Sequence, residues 1–175
     1  LAQEVTDRAG LDSNRVLRLD QGVDVHLFSP WGSEDCPANR VILYAAHLGV
    51  AAEGLHFVLE GFKSLVEKRN DVILLVVGGG SLLPRFHQEV KGMGLNGMVV
   101  FAGQLHHNLM PKVMKLVRAA VNYNPPENQA SRYRASVKVR ECLAMGLPVA
   151  TNIVGSDLSS FTPLLQVFEA GDMDG

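Results

Sequence analysis

The sequence predicts an α/β fold built as a doubly wound parallel sheet, and three observations carry that expectation. Short apolar runs rich in β-branched residues alternate with amphipathic stretches. The apolar runs are near-continuous rather than alternating, as strands buried on both faces require. The connections between runs are short and marked by Gly and Pro.

Taken in order, Leu1 to Gly10 reads as the tail of a helix, and Arg15 to Leu19 as a weak strand candidate. Arg40 to Ala46 (RVILYAA) is the first firm strand. Leu55, Val58, Leu59, Phe62, Leu65 and Val66 then recur at helical spacing on one face. Asp71 to Val77 (DVILLVV) is a strand ended by Gly78-Gly-Gly80, and Pro84 opens a helix reaching about Gly92. Met98 to Phe101 is a strand, Met110 to Val117 holds a short helix, and Ala119 to Tyr123 is a strand closed by Pro125-Pro126. Ser136 is suited to cap a helix running to Met145, with Gly146 and Pro148 as stop signals. Pro148 to Asn152 and Leu165 to Glu169 complete the strands.

Length and composition bound the function. A chain of 175 residues suits one domain with its own core. A formal charge of −2 argues against a nucleic-acid partner, since binding phosphate backbones favours a clear basic excess. No apolar run reaches the roughly 18 residues of a membrane span. Cys36 and Cys142 lie far apart without metal-ligand spacing, which suits reduced thiols in a cytoplasmic protein. The first residue is Leu1, and no closing helix follows Gly171 to Gly175, so the expectation is a piece of a longer protein.

In doubly wound sheets ligands sit beyond the carboxyl ends of the strands. This directs attention to the loops after Ala46, Val77, Phe101 and Tyr123. The loop GGGSLLP after Val77 brings backbone close to a ligand, or is simply a turn needing positive φ; it fits neither G-x-G-x-x-G nor a P-loop. From Pro125 to Pro148 the chain passes Arg132 and Arg134 and enters a helix at Ser136, whose free N–H groups suit a diphosphate. Lys138 and Glu141, three apart, share a helix face and form either part of a ribose site or an ordinary solvated pair. Val139, Cys142 and Leu143 take the core side in that reading.

Other residues point less far. Neighbouring residues such as His106 and His107 rarely ligate one metal ion, so a polar loop pair is expected there and no metal site. His47 either contacts phosphate or ends a strand. Ser156 to Ser160 shows no nucleophile arrangement, and Trp31 suits surface packing.

Several segments together resemble a known family. Gln21-Gly-Val-Asp-Val-His-Leu-Phe-Ser-Pro30 is similar to "nGVD...F.P", and Tyr44 to Gly54 lies where "GRL...KG" is found. The run VILLVVGGGSLLPRF resembles "L.ivG.Gp....l", VVFAGQL resembles "v.f.G.v", and SVKVRECLAMGLPVATN resembles "s...K..E.mA.G.PVvat". Their order resembles the C-terminal, nucleotide-sugar-binding domain of the GT-B-fold retaining glycosyltransferases, the glycosyl transferases group 1 family. The resemblance implies a single Rossmann-like donor-binding domain over 1–175. Residues 1–39 would lead in from a missing N-terminal domain, and 40–175 would form the core.

By that resemblance Glu141 binds the ribose of the nucleotide, while Gly103, Gln104 and Leu105 present backbone to the base. Gly79 and Gly80 line the cleft, and Ser136 sits at the helix end facing the diphosphate or sugar. The family transfers a sugar from a nucleotide diphosphate sugar to an acceptor held by the other domain. The expected partners are therefore a nucleotide sugar donor and an N-terminal acceptor-binding domain of the same protein, with no cofactor and no metal required. The expected location is the cytoplasm, or the cytosolic face of a membrane through peripheral association of the missing half.

Three positions depart from the family pattern. His47 stands at the family's arginine, Glu53 at its lysine, and Tyr133 at the first glutamate of its paired-glutamate motif. The two missing cations normally face the diphosphate, and Arg132, Arg134 or Lys138 from across the cleft would replace them. If they do not, the alternative is a catalytically degenerate domain kept for nucleotide binding, regulation or assembly. An unrelated flavodoxin-like or receiver-like domain would share the fold, but the sequence carries no acidic phospho-acceptor cluster or flavin-loop signature.

Overall fold

The computed structural model of the chain describes residues 2–10, 12–17, 21–30, 40–49, 54–125, 137–152 and 159–168. After helix α1 (Ala2–Ala9) come strand β1 (Arg40–Ala45), helix α2 (Gly54–Lys68), β2 (Val72–Val77) and α3 (Leu83–Gly92). Then follow β3 (Val99–Gly103), α4 (Met110–Met114), β4 (Ala119–Asn122), α5 (Val137–Ala144), β5 (Val149–Thr151) and β6 (Leu165–Val167). Short 3-10 turns span Ser13–Arg15, His107–Leu109 and Ser159–Leu164.

The six strands form one sheet in the order β3-β2-β1-β4-β5-β6, and every neighbouring pair is parallel. The order reverses direction between β1 and β4, which is the switch point of a doubly wound sheet. Because the sheet is parallel, the loops after β1 to β5 all leave from one edge.

Two apolar layers hold the sheet. On one face Leu55, Val58, Leu59 and Phe62 of α2 and Phe86 and Val90 of α3 pack against Leu74 and Val76 of β2. On the other, Met110 and Met114 of α4 and Val139 and Cys142 of α5 pack on Leu43, Ala120 and Val149. Leu43, Leu59 and Leu74 are at most 1% exposed, so each contributes about 1.5–3 kcal/mol by leaving water. This two-sided burial explains why the strands read as unbroken apolar runs.

The expected strand at Arg15 to Leu19 is not formed where it is described. Arg15 closes a 3-10 turn, its N–H donating to the Asp12 carbonyl at 2.9 Å, and Leu17 is 79% exposed. The Asn14 N–H also donates to the Asp12 carboxylate at 3.4 Å, so local bonds hold the chain in a turn where the strand would begin.

Candidate functional site

Backbone hydrogen bonds join the loops after β1, β2 and β3 into one rim. Ala46 N–H donates to the Val77 carbonyl (3.0 Å), Leu48 to Gly79 (2.9 Å), Gly78 to Gly103 (2.8 Å) and Leu82 back to Leu48 (2.9 Å). The glycine run makes this possible. A Cβ on Gly78 (φ +144°) would lie 1.7 Å from the Ala46 carbonyl oxygen, and one on Gly80 (φ +156°) 2.2 Å from that of Leu48. The glycines thus serve backbone against backbone, as well as the unusual φ expected of a turn. Gly79 faces Gln104, whose Cβ would be 3.3 Å from an added Cβ. Gln104 is exposed, whereas Leu105 turns into the second apolar layer. His47 is exposed and lies over Gly49, where a side chain would meet its Nε2 at 2.8 Å.

The other side of the site is built by α5, the helix that follows β4. Lys138 on its first turn is exposed. Glu141 is not on that solvated face: with Val139 and Cys142 it belongs to the buried side of the helix, its side chain 6% exposed. The reading of Lys138 and Glu141 as an ordinary solvated pair is therefore corrected. His107 Nε2 stands 2.7 Å from Glu141 Oε1, supplying the buried carboxylate with a donor. His107 is not merely half of a polar loop pair. Its bond crosses 34 positions of sequence, which no local pattern signals. His106, its neighbour, bonds locally to Asn108 at 2.9 Å.

The His107 ring rests on Phe28, centroid to centroid 5.2 Å. Phe28 is 1% exposed and arrives by a tight turn: its N–H donates to the Asp24 carbonyl (2.8 Å). The Asp24 carboxylate accepts from Leu27 and His26, and those backbone donors hold its pKa below the usual carboxylate value. Behind Glu141, the Cys142 thiol is pushed up to about 12 by burial first and by the Glu141 charge second. At the ends of β4 and β5, Asn152 bonds both the N–H (2.9 Å) and the carbonyl (2.8 Å) of Asn124, and Asn122 donates to Thr151 (3.1 Å). These bonds tie the carboxyl ends of β4 and β5 together.

Glu53, Arg132, Tyr133, Arg134 and Ser136 lie outside the described residues. Among the described residues no group of three or more His, Cys, Asp or Glu side chains could hold a metal ion. None of the described helices is long and apolar enough to cross a membrane. A cavity of about 620 Å³ lies away from this rim, between α2 and the sheet residues of β4 to β6, with an apolar lining that includes Phe57, Phe62, Val121 and Leu165.

Residues 39–161 match the profile of the family described as Glycosyl transferases group 1, well over half of the chain. The chain belongs to that family. This group 1 domain is 24% identical over 176 residues to an α-D-kanosaminyltransferase of Streptomyces kanamyceticus, a match covering 93% of this chain and 42% of the relative. Its fold is similar to that of a TarM variant from S. aureus solved with fondaparinux, α-GlcNAc-glycerol and UDP. That likeness has a TM-score of 0.70 and 15% identity, over 98% of this chain and 33% of the other. It is also similar to the C-terminal domain of a glycosyl transferase group 1 family protein, LpcC, from Francisella tularensis. Here the TM-score is 0.55 and the identity 20%, over 74% of this chain and 70% of that one. The group 1 domain thus spans about two fifths of the length of the curated relative it matches.

Proposed function

We propose that this group 1 domain holds the nucleoside diphosphate of a sugar donor in the cleft above the strand ends, for transfer of the sugar to an acceptor held by another domain of the same protein. The observation that carries the reading is Glu141. It is a carboxylate 6% exposed on the helix leaving the switch-point strand, and it keeps oxygen lone pairs beyond the one taken by His107. Two ribose hydroxyls would complete it. The backbone of Gly103 to Leu105 lies on the same rim and suits the base. The amino end of α5 offers N–H groups and partial positive charge to the diphosphate, the charge that grows as the sugar departs. The UDP in the TarM complex supports this class of ligand.

A second reading, a domain that binds without catalysing, is favoured by His47, which stands where the family places an arginine. Either way, transfer needs donor and acceptor held together, so this domain alone binds nucleotide weakly and turns nothing over.

The test is a screen of UDP, GDP, ADP and their sugars by calorimetry or ligand-detected NMR, with Glu141→Ala as control. Binding of one nucleotide, weakened about 10- to 100-fold in the variant, is expected for loss of hydrogen bonds to a charged group. No binding by any of them would reject donor binding and leave a purely structural or regulatory role.

A further inference from the structure

We infer that His107 is a positioning residue for the nucleotide: it sets the Glu141 carboxylate in the orientation that receives the ribose. The inference rests on the reading of Glu141 as the ribose-binding group and adds to it a residue from a different element, 34 positions away.

A carboxylate almost removed from water is costly to keep ionised unless a donor meets it. His107 Nε2, 2.7 Å from Oε1, is that donor. The bond also selects a rotamer. With Oε1 tied on one side, a lone pair of Oε1 and those of Oε2 remain for a vicinal diol. The imidazole is itself held in place. It opens the 3-10 turn His107–Leu109, closed by the Leu109 N–H donating to the His106 carbonyl at 2.9 Å. Its ring lies on the buried Phe28. The Asp24 turn that delivers Phe28 therefore supports the site through two contacts, Phe28 to His107 and His107 to Glu141.

The ring's location adds a second argument. The His107 side chain is 61% exposed while its partner is 6% exposed, so the imidazole forms the outer wall beside the carboxylate. It also lies just after Gly103 to Leu105, the segment assigned to the base. A nucleoside reaching from that backbone to Glu141 passes along the imidazole.

Two variants of similar bulk separate orientation from packing. His107→Leu keeps an apolar group on Phe28 and removes the donor, whereas His107→Gln restores a neutral N–H donor. UDP, GDP and ADP are each titrated into wild type, both variants and Glu141→Ala, with urea unfolding of every protein measured without nucleotide. The expected result is binding at least 10-fold weaker in His107→Leu and within about 3-fold of wild type in His107→Gln. Wild-type affinity in His107→Leu, or equal losses in Leu and Gln, overturns the inference while a deficient Glu141→Ala leaves the ribose assignment standing. Unchanged binding in Glu141→Ala, or no nucleotide bound by wild type, removes the ribose assignment and the inference with it.

Discussion

Replacing Gly78 by alanine tests whether the glycine run is there to let two backbones meet. The new Cβ would stand 1.7 Å from the Ala46 carbonyl oxygen and 2.9 Å from its carbon, and neither atom belongs to a flexible side chain. Relief requires the loops after β1 and β2 to part by more than an ångström. That movement breaks the bonds from Ala46 N–H to Val77 (3.0 Å) and from Leu48 N–H to Gly79 (2.9 Å). Each backbone bond is worth about 1 kcal/mol net, and an alanine at φ +144° adds about 1–3 kcal/mol of strain, so the loss is on the order of 3–5 kcal/mol. For a domain of this size that lowers the thermal midpoint by about 2–4 °C per kcal/mol. Urea unfolding followed by far-ultraviolet circular dichroism measures it. Gly92→Ala at the end of α3, where an added Cβ meets nothing within 4 Å, serves as control. A loss below about 1 kcal/mol in Gly78→Ala would refute the close-approach argument, since strain alone would then exceed what is seen.

Gly61→Ala, in the middle of α2 with open space at its Cβ, stabilises the domain by about 1 kcal/mol through helix propensity, read by the same urea unfolding. Stability falls as pH rises from about 9 towards 12. Burial raises the Cys142 thiol to about 12 and the Tyr44 hydroxyl higher still, so the unfolded chain loses protons that the folded one keeps. A Cys142→Ala variant is expected to show a shallower alkaline decline in unfolding free energy, and an identical slope would refute it. The Cys142 thiol also resists alkylation at pH 8 in the folded protein and reacts on unfolding, as mass spectrometry of its peptide will show. Arg40→Ala removes the 2.9 Å ion pair to Asp71, but both side chains are about half exposed, so unfolding free energy changes by less than about 1 kcal/mol.

The strands were legible because a parallel sheet buried on both faces writes itself as continuous apolar runs: RVILYA and VILLVV are both strands within a residue of where the sequence placed them. Helix α5 was legible too, from its stop signals at Gly146 and Pro148. What spacing misled about was the side of α5. Lys138 and Glu141 are three apart, and a charged residue is expected in water, yet Glu141 turns inward, where His107 meets it. That partner comes from another element, and no local pattern encodes such a contact. The segment at Arg15 to Leu19 misled for the opposite reason: its apolar residues suggest a strand, but the Asp12 turn takes the backbone N–H of Arg15 at its start. Sequence read the glycine loop as close approach to a ligand or as a turn needing positive φ, and could not show the nearness of Ala46 and Leu48, residues some 30 positions upstream, which an added Cβ would strike.

The central claim is that a nucleoside diphosphate binds over the strand ends, between the rim of the first three loops and α5. Backbone amide NMR of the labelled chain, titrated with UDP, GDP and ADP, tests it most directly. The account predicts that one nucleotide shifts amides at residues 46–49, 78–82, 103–107 and 137–141 together, and that Glu141→Ala abolishes those shifts at the same concentration. Shifts confined to the apolar cavity beside α2, or none with any nucleotide, would contradict it.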